Sequence, residues 1–392
     1  MNAFLNFIEK ILTWFFSLAF GALLIYGVIR YNAHRQHQSD PWLQAQKQNT
    51  AAAYLAFLRE CRSCPQEAAA EKALDDLQRP LGLLARMHRG HLSERAMISL
   101  PAFSPDNREL LATGGTGPDF WDVETGRRHS HGAKTFAKDG ARKVDALDYA
   151  PDGRRIAAGQ SGVQSGRLLI WDLVTEALVN AREVEASNVK GVQFSPDGVW
   201  LGWMGDGPVG IWDPVAGTFL RATHAEVSSM AFRPAGDGVS HFLTAGGRDL
   251  RTWEPATMEL LKEQHFDSDR PLLGLSRNGR LIAFTDGKVL DLWDTATGKM
   301  VASIRDLEGT ILSFCVESST GRVVIGTQTG MLYLWHPYTS TVPEGQVPAH
   351  RGPVEALACA RQGRVTSISW DAAKVWNIDR LVTDKAEPRA TR

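Results

Sequence analysis

The sequence predicts an all-β chain built from one repeated unit, and two observations carry that expectation. First, seven short segments end a strand in the same way: FWDVETGR from Phe120, IWDLVTEA from Ile170, IWDPVAGT from Ile211, TWEPATME from Thr252, LWDTATGK from Leu292, LWHPYTST from Leu334 and VWNIDR from Val375. Their tryptophans, Trp121, Trp171, Trp212, Trp253, Trp293, Trp335 and Trp376, are spaced by 50, 41, 41, 40, 42 and 41 residues. A period near 40 marks one supersecondary unit that cannot bury its apolar face alone and stacks on its neighbours. Second, each interval holds a turn of one type: Ser104-Pro-Asp-Asn, Ala150-Pro-Asp-Gly, Ser195-Pro-Asp-Gly, Arg233-Pro-Ala-Gly, Arg277-Asn-Gly, Ser319-Thr-Gly and Arg361-Gln-Gly. Pro presets φ, and Asp, Asn and Gly supply the remaining turn geometry.

At the N-terminus, residues 11–29 contain no charged side chain, and Phe, Leu, Ile and Ala dominate. Nineteen residues suffice to cross a bilayer core, with Trp14, Tyr26 and Tyr31 near the ends, where aromatic rings favour the interface. No small-x-small cleavage site follows before Arg30-Tyr31-Asn32, so residues 1–36 are expected to be an uncleaved transmembrane anchor. Arg30 and Arg35 outweigh Lys10, which Glu9 offsets; this places the C-terminal side in the cytoplasm and the chain in the inner membrane.

Residues 37–80 predict a helical hairpin. Asp40 can cap and Pro41 can occupy the first turn, while Trp42, Ala45, Ala52, Leu55, Phe57 and Leu58 recur at helical spacing. The break falls at Cys61-Arg-Ser-Cys64-Pro65, and a second helix runs from there to Pro80. The stretch resembles one helix–turn–helix of the tetratricopeptide type, read as a spacer.

Residues 81–381 hold the repeats. Within each, a strand, the Asp-Gly turn, a second strand, the Trp-bearing strand, a Thr-x-Gly turn and a returning strand follow in order, which gives four strands per unit. These residues resemble the WD40 repeat family, in a bacterial-type, membrane-anchored member. The resemblance implies a seven-bladed β-propeller that docks proteins. The family's Gly-His dipeptide is clear only at Gly90-His91, with His224 and His350 as partial matches. The His–Ser/Thr–Trp–Asp hydrogen-bond network that it implies is therefore expected to be incomplete in several blades. After Trp376 no fourth strand follows, whereas a spare one precedes Gly90-His91. Leu81–His88 is expected to complete the last blade and remove the open edge. Residues 382–392 read as a disordered tail.

The net charge of −1 gives no field for nucleic acid, and four cysteines in 392 residues argue against a disulfide scaffold. Cys315 and Cys359 fall in apolar strands and read as small core residues. Cys61-x-x-Cys64 reads either as inert thiols in a helix–helix turn or, outside the cytoplasm, as a disulfide; it lacks the further ligands of a zinc site. No GxSxG, P-loop or HExxH occurs, so no catalytic residue, metal or cofactor is expected.

The candidate partner-binding residues are Trp370 and Asp371 on a turn between strands, and Arg127, Arg128, Lys134 and Lys138 in a basic insertion that reaches Lys143 and includes His129 and His131. The expected function is that of a non-catalytic, membrane-anchored scaffold for unidentified protein partners. The alternatives are a propeller enzyme or ligand sensor using the central channel, and an envelope-assembly factor on the periplasmic side.

Overall fold

The computed structural model describes residues 40–61, 63–88, 101–113, 118–129, 143–222, 227–235, 240–360 and 362–381. The expected anchor at 11–29, Gly90-His91, His131, Lys134, Lys138, His224 and the tail lie outside these residues. Among the described residues no helix is long and apolar enough to cross a membrane. The chain divides into two compact units, 1–74 and 75–392.

In the first unit, α1 (Pro41–Gln48) starts where Asp40 Oδ1 accepts the Trp42 amide at 2.9 Å and Pro41 needs no donor. It stops at Asn49, which turns left-handed with φ 46°. Thr50 then caps α2 (Ala51–Glu60) by accepting the Ala53 amide at 3.2 Å. The single first helix expected from apolar spacing is thus two helices. Asn tolerates the left-handed region and Thr favours the cap, and these local preferences outweigh the periodicity. Trp42 packs on Phe57 and Tyr54 at ring-centroid distances of 5.3 and 6.1 Å. The next helix, α3, spans Glu67–Gln78.

The second unit is a ring of seven four-stranded antiparallel blades. Blades one to six occupy 102–129, 144–184, 189–222, 229–265, 272–304 and 311–348. In each of these the first strand lies innermost and packs beside the first strand of a neighbouring blade. Blade seven joins the first and last strands of the ring. Leu83–His88 forms its outer strand, and Ala356–Cys359, Arg364–Ile368 and Ala372–Asn377 form the rest. The register pairs Leu83 with Trp376, Arg86 with Lys374 and His88 with Ala372, so the closure expected from the spare strand is the one observed.

Local chemistry explains the turns between first and second strands. Ser195 Oγ accepts the Trp200 amide at 2.9 Å, Ser276 Oγ accepts that of Leu281 at 2.9 Å, and Ser104 Oγ accepts that of Glu109 at 2.9 Å. The residue that closes each turn is left-handed: Asn107 at φ 61°, Gly198 at 74° and Gly279 at 63°. Glycine reaches that region without the Cβ clash. The aspartates after the tryptophans close the other turn. Asp172 Oδ1 accepts the amides of Val174 and Thr175 at 2.9 Å each, and Asp294 Oδ1 accepts that of Thr297 at 2.7 Å. Their Oδ1 atoms are engaged in turn formation, and Asp172 Oδ2 accepts from Arg154 at 2.6 Å.

An apolar cluster fills every seam between neighbouring blades, including the closing seam of blade seven against blade one, where Ala85, Met87 and Val375 meet Leu110 and Trp121. Six of the repeat tryptophans are buried in this way and Trp293 is half-buried. Trp203 fills blade three as well. It stacks on Phe219 at 5.6 Å opposite Gly210, where any side chain would collide with Leu220 O.

Trp335 is fully enclosed, and its indole N–H donates to Ser340 O at 2.7 Å. Trp335→Ala is expected to destabilise the ring by about 3–5 kcal/mol in denaturant-induced unfolding. A loss under about 1 kcal/mol would mean that the seam repacks without it.

Candidate interaction face and buried network

Blade seven concentrates the polar chemistry of the molecule. The Trp376 indole N–H donates to Ser367 Oγ at 2.8 Å, Ser367 Oγ lies 2.7 Å from His350 Nε2, and His350 Nδ1 lies 2.8 Å from Asp371 Oδ1. Indole can only donate, so the Ser367 hydroxyl gives its proton to Nε2 and Nδ1–H faces the carboxylate. The chain of donors fixes one neutral tautomer. The Arg351 amide also donates to Asp371, at 3.2 Å. The network implied by the sequence resemblance is therefore complete in this blade. In blade four the Trp253 indole donates to Thr244 Oγ1 at 2.9 Å.

The order Ser367–His350–Asp371 matches a Ser–His–Asp catalytic triad. Ser367 and His350 have no solvent exposure, however, and Ser367 Oγ already accepts from Trp376. A substrate carbonyl cannot reach that oxygen, so the geometry is that of a blade strut.

Burial pushes the His350 ring below its ordinary value, although the Asp371 carboxylate pulls the other way. Burial would by itself raise the Asp371 carboxyl; the His350 ring, the Lys374 charge and the Arg351 amide hold it well below the usual carboxylate range. Lys374 is itself fully buried. Its ammonium donates to Gln78 Oε1 at 2.7 Å and Ala349 O at 2.8 Å and lies 6.0 Å from the Trp376 ring centroid. Gln78, in the last turn of α3, donates in turn to Pro348 O at 2.6 Å. Beside it Arg86 pairs with Asp75 at 3.5 Å.

The partner-binding candidates separate on this framework. Trp370 stays 38% exposed on the turn before the third strand of blade seven, and its indole lies directly over Gly352. Asp371 is corrected from a contact residue to a buried one: its side chain is 2% exposed and held by His350. Arg127 is exposed, but Arg128 pairs at 2.6 Å with the buried Asp119 and, with His129, forms the fourth strand of blade one. Arg128 and His129 belong to the blade, and residues 130–142 of the insertion lie outside the described residues. Trp370 precedes a third strand, whereas Arg127 and Arg128 come after one, so they lie on opposite faces of the ring.

Two features escaped the sequence. Asp148, on the innermost strand of blade two, is wholly buried and accepts the Phe194 amide of blade three at 2.7 Å. Arg277, from the turn of blade five, crosses the channel to bond Asp148 at 2.6 Å, and its carbonyl accepts from Gln193 at 2.9 Å. Burial raises the Asp148 carboxyl, and the Arg277 charge opposes that rise. Arg277 stands where four other repeats carry Pro. The second feature is a disulfide between Cys315 and Cys359, with Cα atoms 5.5 Å apart, joining the innermost strands of blades six and seven. This corrects their reading as unlinked core residues. Their separation of 44 residues is about one repeat, which places them at equivalent positions on adjacent strands. Cys61 and Cys64 are likewise joined, as the extracytoplasmic alternative anticipated.

The class defined by this architecture is a closed, seven-bladed β-propeller. No protein-family profile matches the chain. Over 227 residues, 54% of its length, it is 27% identical to Tricorn protease homolog 1 of Streptomyces coelicolor. The match spans only 20% of that relative. Among solved structures, a chain from the crystal structure of a Mitotic Checkpoint Complex superposes with a TM-score of 0.60 at 14% identity. The superposition covers 76% of this chain and 92% of that one and shows likeness of fold.

A native histidine that resists protonation makes folding pH-dependent. The unfolded chain takes up a proton near pH 6.5 that the folded ring refuses until lower pH. The His350 contribution is thus full above about pH 6.5 and is lost as pH falls, with Asp371 adding a further loss below about pH 4. In thermal melts at pH 7.5 and 5.5, His350→Gln should be less stable than the parent at the higher pH and lose less on acidification. Parallel curves for the two proteins would rule out a buried neutral His350.

Proposed function

We propose that the chain is a non-catalytic protein-interaction scaffold that docks partners on the face of the ring carrying Trp370. The observation that carries this reading is the pairing of a partly exposed aromatic with a rigid base. Trp370 keeps 38% of its surface in solvent, while the next residue, Asp371, is fixed by His350 and Arg351. An aromatic whose backbone is already ordered loses little entropy on binding, which suits an interaction anchor. Val163, fully exposed on the corresponding turn of blade two, adds apolar surface to the same face. Use of the central channel by an enzyme or sensor is less well supported, because Arg277 spans it and neutralises the buried Asp148.

The apolar run at 11–29 would tether the scaffold to a membrane. The two disulfides support an oxidising compartment, hence the periplasmic side. This reading departs from the cytoplasmic one that a bias of about one flanking charge suggests.

Once a partner is captured by pull-down with the full chain, Trp370→Ala is expected to weaken binding by about 2 kcal/mol, roughly thirtyfold. Unchanged affinity would return Trp370 to a packing role and move the docking surface elsewhere. For the topology, alkaline phosphatase fused to the C-terminus should be active in cells. An inactive phosphatase together with a fluorescent C-terminal fusion would place the ring in the cytoplasm.

A further inference from the structure

We propose that, independently of any scaffold role, Cys61 and Cys64 form a thiol–disulfide exchange site that accepts two electrons from a protein dithiol. The disulfide closes the turn between α2 and α3, where Ser63 adopts a left-handed φ of 61° and its amide donates to Glu67 Oε2 at 2.9 Å. The two sulfurs differ in setting. Cys61 ends α2 and is buried. Cys64 is half-exposed and immediately precedes the first turn of α3, its carbonyl accepting the Glu67 amide at 3.1 Å.

The positive end of the twelve-residue α3 favours a thiolate on Cys64, whereas the negative end of α2 disfavours one on Cys61. Both half-cystines also line an open depression of about 210 Å³ walled by Pro41, Trp42 and Phe57, with Glu60 and Gln66 beside them. An apolar residue next to the partner's cysteine would fit this hollow. The redox bond therefore faces a surface that can hold a peptide.

The reaction balances without a further co-reactant. A partner thiolate attacks Cys64 Sγ, a mixed disulfide forms, and Cys61 leaves and takes a proton. The partner's second thiolate then attacks its own bridging sulfur, and Cys64 leaves as the thiolate that the helix end favours. The partner has lost two electrons and two protons to form its disulfide, and the pair is reduced.

Cys315–Cys359 is the internal contrast. It spans 44 residues and two blades, whereas Cys61–Cys64 spans three. Cys315 and Cys359 pack against the apolar seam of blades six and seven, which holds their sulfurs together and shields them, whereas Cys61 and Cys64 line the open hollow. Cys61–Cys64 is thus the one free to cycle.

The full chain is equilibrated in glutathione buffers of increasing reducing strength, alkylated and mapped by peptide mass spectrometry. Cys61 and Cys64 should be labelled at a lower reducing ratio than Cys315 and Cys359. In parallel, Cys61→Ser should capture a cysteine-containing peptide activated as its mixed disulfide with thionitrobenzoate, the Cys64 thiolate displacing thionitrobenzoate from the peptide sulfur, and Cys64→Ser should do so far less. Reduction of both bridges together, reduction in the opposite order, or equal trapping by the two variants would overturn the proposal.

Discussion

Every blade of this protein is apolar on both faces, and only another blade can cover it. That constraint governs the rest of the structure. A row of such units ends in two bare sheets, and a ring ends in none. The closing seam is accordingly as apolar as the others, with Ala85, Met87, Ala373 and Val375 set against Leu110, Ala112 and Trp121. Blade seven must be completed by the first strand of the chain, because the three strands from 356 to 377 would otherwise expose an unpaired edge.

Blade seven also carries the polar fastenings. His350, Ser367 and Lys374 are fully buried and each has its hydrogen bonds made. Buried polar groups cost stability when unpaired and confer a unique arrangement when satisfied. Here they occur in the blade where the first and last strands of the ring meet, and they help hold its register. Gln78 extends the same network to the last turn of α3. The Cys315–Cys359 bond ties the innermost strands across the seam between blades six and seven. The triad-like order of Ser367, His350 and Asp371 arises from this fastening, and its burial separates it from catalysis.

The exposed chemistry is sparse by comparison. Trp370 stands out because its neighbour Asp371 is fixed while part of its own surface stays in solvent. Arg277 shows the opposite logic. It is a surface-based arginine that reaches inward to satisfy an acid buried in the channel, joining blades two, three and five. The two disulfides divide in the same way, one fastening the ring and one lying beside an open hollow.

The sequence by itself determined the number of blades, the position of each turn and the strand that closes the ring. Those features are local: Pro, Asp and Gly dictate backbone angles wherever they stand, and a period near 40 repeats the same dictation seven times. It also placed the cap at Asp40, though it missed the restart at Thr50, where two short-range preferences compete with apolar spacing. Tertiary structure alone decided which side chains meet. Asp148 and Arg277 lie 129 residues apart, and no periodicity links them. Asp371 could be read as exposed from its turn, but the His350 ring from the neighbouring connection covers it. Cys315 and Cys359 were legible only as two apolar positions, until the ring set consecutive innermost strands side by side. Strand and turn are fixed by a few neighbouring residues, whereas partners across a seam or channel are fixed by the closure of the whole ring.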